Sequence, residues 1–329
     1  MFFKLFFRSI FYTLLTLLLC HTSLLGLERY GAIEIGGKGV KGYVVEIDHN
    51  LATIRYRTSF NTSPQEGIDS KDVMNTAMIQ HISIEVLALQ QTLLNDQNIS
   101  KNSLYIIASS AINKIKNKPE LVTDIQNKAH LKLYFIDEKE ESTYAFYGAV
   151  PKSQWNNASM IDIGGGNTKI AWINATNTLD FFEIPLGTVS LSTLAEQSQE
   201  GTFEERCTRV IRKNTSHPIS LSQESVYATG GIFWATSYLK TDGKLESYVA
   251  LNKADFDNVI TAISEPTPCK DENTARCFLL RSYGAKNLIA GAILAKETLD
   301  QLDAFTKKIY FVTEGAWING WFLQNAKNF

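Results

Sequence analysis

One short pattern occurs twice, and it limits the fold more than any other feature of the chain. Glu34-Ile35-Gly36 and Asp162-Ile163-Gly164 each place an acidic residue, an aliphatic residue and a glycine at the end of a run rich in β-branched and aromatic side chains. In the first half the runs span residues 30–36, 40–48 and 51–60, with Gly36-Gly37-Lys38-Gly39 and His49-Asn50 between them as turn chemistry. In the second half they span 159–163, 168–173 and 179–184, with Gly164-Gly165-Gly166 at the first turn. Each set predicts an antiparallel three-strand meander, and two in one chain predict an internal duplication.

The segments after the two meanders are also alike. After the first, residues 69–95 predict a helix with Val73, Ala77, Ile84, Leu87 and Leu94 on one face and Ser70 as its N-cap. Short buried strands come next at 104–108 and 132–136, with helices over 119–129 and 138–147. After the second come helices over 190–196 and 203–213, a strand over 225–228, and Gly230-Gly231 opening another helix. The expectation is an α/β fold of two related lobes with a cleft between them, residues 27–150 and 151–329.

With 329 residues the chain is long enough for two such lobes, and at 44% hydrophobic and 20% charged it is not a disordered or fibrous one. A net charge of −2 without a like-charge block argues against a nucleic-acid surface, so a phosphate-rich ligand has to be held by a local, shaped site. Residues 1–26 stand apart. Lys4 and Arg8 form a positive head, and residues 9–20 are apolar or hydroxylic around a leucine-rich centre, the pattern of a secretory signal peptide cut after Gly26. An uncleaved anchor attaching the chain to a membrane is the alternative, and Cys20 admits a lipoprotein signal. All three export the body to a periplasm or cell envelope. There, the spacing of Cys269 and Cys277 across a polar loop suits a disulfide, which leaves Cys207 over. The five histidines are scattered, so a zinc site built on Cys and His is not expected.

The glycine turns carry the candidate chemistry. A turn without side chains lets backbone N–H groups converge on an anion, and an acidic residue before it can hold Mg²⁺ or its water. Ala228-Thr229-Gly230-Gly231 adds a third glycine element where a helix begins. Gly37-Lys38-Gly39-Val40-Lys41-Gly42 has the spacing of a dinucleotide fingerprint, but it leads into a strand, not a helix, and is set aside.

These elements, in this order, resemble the Ppx/GppA family of exopolyphosphatases and guanosine-pentaphosphate phosphohydrolases. The resemblance runs through Ala108-Ser109-Ser110-Ala111-Ile112, Glu140-Glu141 followed by Gly148, Asp162-Ile163-Gly164-Gly165-Gly166-Asn167-Thr168, Pro185-Leu186-Gly187, Ala228-Thr229-Gly230-Gly231, and Val312-Thr313-Glu314-Gly315-Ala316 with Gly320. It implies duplicated actin-like (ribonuclease H-like) lobes and Mg²⁺-dependent removal of a terminal phosphate from polyphosphate or another phosphorylated small molecule, and it admits a homodimer. It puts a general base at Glu141, metal ligands at Asp162 and Glu34, and phosphate contacts at Gly36, Gly37, Lys38, Gly39, Gly164, Gly165, Gly166, Asn167, Thr168, Gly230 and Gly231.

The chain also departs from the family pattern. Lys169 stands where a carboxylate is usual, Asn113 and Ser190 where arginines are usual, and Ile318-Asn319 where an Arg-Glu pair is usual. Gly37-Lys38-Gly39 replaces Ser-Asn-Ser, and Glu34 replaces Asp. The glycine scaffold remains while much of the charged inventory has changed. The chain is then either an exported phosphohydrolase or a catalytically impaired member that binds an anionic ligand or a protein partner in the same cleft. A sugar or acetate kinase of the same superfold fits the Glu140-Glu141 and 312–320 matches less well.

Overall fold

The computed structural model describes residues 28–48, 51–215, 221–266, 268–269, 274–313, 315 and 317–326. The expectations for the signal segment, including Lys4, Arg8 and Cys20, and for Glu314 and Ala316, lie outside the described residues.

The first half runs β1 (Glu28–Gly36), β2 (Gly39–Asp48), β3 (Leu51–Phe60), α1 (Thr76–Gln91), β4 (Leu104–Ala108), α2 (Ser110–Asn113), α3 (Lys118–Ala129), β5 (Leu133–Phe135) and α4 (Glu138–Ala149). The second runs β6 (Ala158–Ile163), β7 (Thr168–Ile173), β8 (Leu179–Ile184), α5 (Thr188–Glu196), α6 (Phe203–Asn214), β9 (Ser225–Gly230) and α7 (Gly231–Lys240). It continues with β10 (Tyr248–Leu251), α8 (Lys253–Ser264), α9 (Ala275–Tyr283), α10 (Ala285–Gln301), β11 (Lys308–Val312) and α11 (Trp317–Asn325).

The strands form two sheets, ordered β3-β2-β1-β4-β5 and β10-β11-β9-β6-β7-β8. Read outward from β8, the second repeats the first strand for strand, with β10 added at its edge. Both meanders are antiparallel, and β4 and β9 pair in parallel with β1 and β6. This is the duplicated actin-like α/β arrangement.

Alternation along each strand gives both sheets two apolar faces. One face of the first sheet, with Ile33, Ile35, Ile106 and Ala108, packs on α1 and α3 through Ile82, Val86, Leu121 and Ile125. Its other face presents Ala32, Tyr43, Tyr105 and Ile107 to Ile318, Trp321 and Phe322 of the last helix, α11. The second sheet buries Ile161, Ile163, Val226 and Phe311 under α7, α8 and α10, and turns Ala158, Met160, Ala171 and Tyr227 toward Ala145, Phe146 and Ala149 of α4. The helix that ends each half therefore covers the sheet of the other half. The two crossing helices touch at Gly320, where a Cβ would lie 1.8 Å from the Tyr144 carbonyl oxygen, so only glycine lets the backbones approach this closely.

The helix expected over 69–95 is shorter and turned on its axis. Its cap is Asn75, whose side chain accepts the Met78 N–H at 2.8 Å, not Ser70. Upstream, the Asp69 carboxylate accepts the N–H groups of Lys71 and Val73, and Asp72 is left-handed at φ 62, which breaks any earlier start. The buried stripe is Ile79, Ile82, Val86, Leu89 and Leu93, while Val73 and Ile84 are exposed. The segment is apolar on most of its circumference, so periodicity left the phase open.

Candidate active site

Both acid-aliphatic-glycine patterns fall at the ends of the first strands of their meanders, and each hairpin returns a lysine opposite the acid. Glu34 pairs in register with Lys41, and Asp162 with Lys169, so the duplication extends to an acid and a lysine seven residues apart. The two pairs then diverge. Glu34 is buried and fully engaged: Oε1 accepts Lys41 Nζ at 3.0 Å and Oε2 accepts the Tyr43 hydroxyl at 2.7 Å. Burial first, and the Glu34 charge second, push the Tyr43 hydroxyl well above its ordinary pKa, so it stays a proton donor to Glu34.

Lys169 instead reaches Glu141. Its Nζ lies 2.6 Å from Glu141 Oε1, with the two side chains 4% and 13% exposed. Glu141 projects from the first turns of α4, a helix started by a capping box in which Asp137 and Glu140 exchange hydrogen bonds with each other's backbone. Its second oxygen, Oε2, accepts the Ser110 N–H at 2.9 Å, where the chain leaves β4 of the first sheet. Burial pushes the Glu141 carboxyl up, but the charge and hydrogen bond of Lys169 and the Ser110 bond together outweigh it, and the group is held below its usual range. Asp162 Oδ1 accepts the Thr229 hydroxyl at 3.0 Å. There burial prevails over the Lys169 charge, with the Glu141 charge adding to it, and the carboxyl is pushed up.

The glycine turns close over this floor from both lobes. Gly36 to Gly39 is a two-residue hairpin whose Gly37 carbonyl accepts the Gln65 N–H. Lys38 at its tip crosses to the second lobe: a Cβ on Gly165 would lie 2.1 Å from Lys38 Nζ. The side chain is exposed overall, yet its enclosed tip, with Lys41 as the next cause, holds the ammonium below its ordinary range. The Gly164-Gly165-Gly166 turn is braced from behind by α5. Thr188 N–H donates to the Gly164 carbonyl, Val189 and Ser190 N–H to that of Gly165, and the Ser190 hydroxyl to that of Gly166. The first N–H groups of α5 are therefore satisfied by the turn. Asn167 points away from it to Glu183 at 2.8 Å, and the buried Thr168 hydroxyl donates to the Leu186 carbonyl. Gly230 adopts φ 100 at the start of α7, with the Ile163 carbonyl oxygen 2.3 Å from where a Cβ would stand. Gly231 comes next as the first residue of that helix.

The structure thus brings Glu141, Asp162, Lys169, Lys38 and the Gly164–Gly166 turn together, with Glu34 and Lys41 at the equivalent position of the first lobe. The other changed positions are committed elsewhere. Asn113 accepts Lys118 Nζ at 2.5 Å, and Ile318 and Asn319 are buried under the first sheet. Sequence reasoning did not single out Glu138, Glu183 and Lys114. Glu138 lies 2.5 Å from Lys114, whose hydrogen bond comes first in holding that carboxyl low, and Glu183 pairs in register with Lys169. The acidic run before Glu141 and the β7–β8 register were the only signals that pointed to them.

The residues present do not fit the Mg²⁺ that the resemblance implies. A Mg²⁺ site needs carboxylate oxygens open toward the ion and its waters. Here both Glu34 oxygens are taken, Asp162 accepts Thr229, and the ammoniums of Lys41 and Lys169 lie among the same carboxylates. Among the described residues no group of three or more His, Cys, Asp and Glu side chains is arranged to hold a metal.

Comparison with known proteins agrees with this geometry at the level of fold. A crystal structure of the Aquifex aeolicus member of the Ppx/GppA protein family superposes with a TM-score of 0.73 at 17% identity, over 92% of this chain and 99% of that one. An exopolyphosphatase from Cytophaga hutchinsonii gives 0.68 at 14%, over 92% and 98%. A nucleoside triphosphate hydrolase from Neospora caninum gives 0.52 at 9%, over 96% of each chain. No curated protein sequence matches. The profile of the Ppx/GppA phosphatase family matches residues 43–328, nearly all of the body. The chain belongs to the Ppx/GppA phosphatase family.

Proposed function

We propose that this is an exported phosphohydrolase that takes the terminal phosphate of polyphosphate, or of a related phosphoanhydride, into the cleft. The observation that carries the reading is the meeting of Glu141 with Lys169 of the hairpin that bears the Gly164–Gly166 turn, with Lys38 of the other lobe against Gly165. A phosphate seated there competes with Glu141 for the Lys169 ammonium. Once Lys169 turns to the phosphate, burial is the dominant remaining influence on Glu141, and its basicity rises toward what a general base needs. Water then attacks the terminal phosphorus and gives a proton to Glu141. The bond to the bridging oxygen breaks, and the shortened chain leaves with that electron pair. Export is supported by the Cys269–Cys277 disulfide, a linkage typical of oxidising compartments.

The same ion pair favours a second reading. Lys169 is 4% exposed, and a base held this firmly suits a member that binds the anion without turning it over. Phosphate release from long polyphosphate by the full chain, beside Glu141→Gln, separates the two. Release that falls about a hundredfold or more in the variant supports the hydrolase with Glu141 as base. No release from either protein, with polyphosphate still bound, leaves the binding reading.

A further inference from the structure

The mismatch between the carboxylates and Mg²⁺ has a constructive side. Three carboxylates in the cleft, Glu34, Asp162 and Glu141, correspond to the base and metal ligands that the resemblance implies, and two lysines stand among them. Lys41 and Lys169 occupy the same place in the two copies of the duplicated hairpin, directly opposite the acid that precedes each glycine turn. One ammonium is bonded to Glu34 at 3.0 Å and the other to Glu141 at 2.6 Å. Together they bring two positive charges, the charge of one divalent cation, on side chains that form part of the fold.

We infer that Lys169, with Lys41 as its counterpart, is a built-in counter-cation: it supplies the positive charge of this cleft and keeps divalent metal out. Phosphate is then received with ammonium groups as the only cations, and its binding does not depend on added metal. This rests on the proposed phosphohydrolase function only in taking the ligand to be phosphate. A lysine neutralises charge but does not accept oxygen lone pairs as a Lewis acid, so the site trades metal activation for a permanent charge.

The exclusion stems from Lys169 itself. A metal beside Asp162 and Glu141 would have to displace an ammonium that is almost wholly buried and bonded at 2.6 Å, and would face its charge. Replacing Lys169 by Glu leaves Glu141, Asp162 and the new carboxylate close together without a cation, a hard oxygen set suited to Mg²⁺ or Mn²⁺.

The test is titration of the full chain with Mn²⁺, monitored by the paramagnetic resonance signal of the unbound ion, with and without inorganic phosphate. The wild type is expected to show no one-to-one site below about 1 mM, the weak end of protein cation sites. K169E is expected to gain one site at least tenfold tighter. K169M, which nearly conserves side-chain volume, serves if circular dichroism shows K169E unfolded. A one-to-one micromolar Mn²⁺ site in the wild type overturns the inference. So does a folded K169E or K169M without any gain, because the ammonium would then not be what keeps the ion out. Broadening of the inorganic phosphate ³¹P resonance by the wild type in EDTA supports it, and broadening that requires metal overturns it. Absence of broadening under every condition tells against phosphate as the ligand of the cleft, and the Mn²⁺ arms still decide the counter-cation role.

Discussion

Replacing Lys169 by Met removes one charge from a buried pair and leaves the other behind. At 2.6 Å and an effective dielectric of about 20, the attraction between Lys169 and Glu141 is about 6 kcal/mol, much of it offset by the desolvation of two ions. Loss of one partner leaves Glu141 as a buried carboxylate held only by neutral donors of Ser110, which costs about 3–5 kcal/mol at pH 7. The pH dependence then changes sign. In the wild type the Glu141 pKa is held below its unfolded value, near 4.3. The stability it contributes is therefore present above that value and is lost as pH falls through the folded pKa. In K169M burial dominates and the folded pKa lies above the unfolded one. The variant's deficit is then largest at neutral pH and is relieved on acidification, when Glu141 takes up a proton. Urea unfolding at pH 7 and at about pH 4.5 reads both effects, with the gap between the proteins narrowing to about half or less at the lower pH. Adding Glu141→Gln to K169M recovers about 2 kcal/mol at pH 7, since the buried charge is gone. An equal gap at the two pH values, or no recovery in the double variant, refutes the reasoning.

The same geometry sets three further outcomes. Tyr43→Phe removes the hydroxyl that donates to buried Glu34 Oε2 and destabilises by about 1–3 kcal/mol in equilibrium unfolding. Cys269→Ser with Cys277→Ser opens a loop with a sequence separation of 8 and costs about 2.5 kcal/mol by loop-closure entropy, read as the difference from the oxidised wild type. Gly320→Ala drives a Cβ into the Tyr144 carbonyl and destabilises by about 1–3 kcal/mol or more. Phosphate binding should weaken in that variant as the α4–α11 crossing loosens, and a neutral result in calorimetry counts against the close approach.

Local patterns were legible where a strand is decided by neighbours in sequence. The runs 51–60, 104–108, 168–173 and 179–184 are strands to the residue, because turn chemistry bounds each one. The duplication was visible for the same reason: Glu34-Ile35-Gly36 and Asp162-Ile163-Gly164 are contiguous triplets. The phase of α1 was not, because its circumference is largely apolar and only tertiary packing selects Ile82 and Val86 over Ile84. Charge partners were the least legible part of the site. Lys169 could be recognised as out of place, but whether it would face Asp162, its register partner, or Glu141, on a helix from the other half, depends on how α4 lies across the second sheet. Strand β10 and helices α8 to α10 went unread because no motif drew attention to residues 248–301.

The exchange of terminal helices makes each half of the chain an unfinished domain. Cut between α4 and β6, the polypeptide would yield two fragments, each lacking the helix that closes one face of its own sheet. Such fragments become whole by reassociation, so the rate at which they recover should rise with their concentration, as for a split reporter. Within the intact chain the exchange has a mechanical reading too. Glu141 travels with α4 on the second sheet alongside Lys169, while the Ser110 amide that holds its other oxygen belongs to the first. A rotation that parts the lobes would pull on the Ser110–Glu141 contact together with the α4–α11 crossing and leave the Lys169–Glu141 ion pair intact.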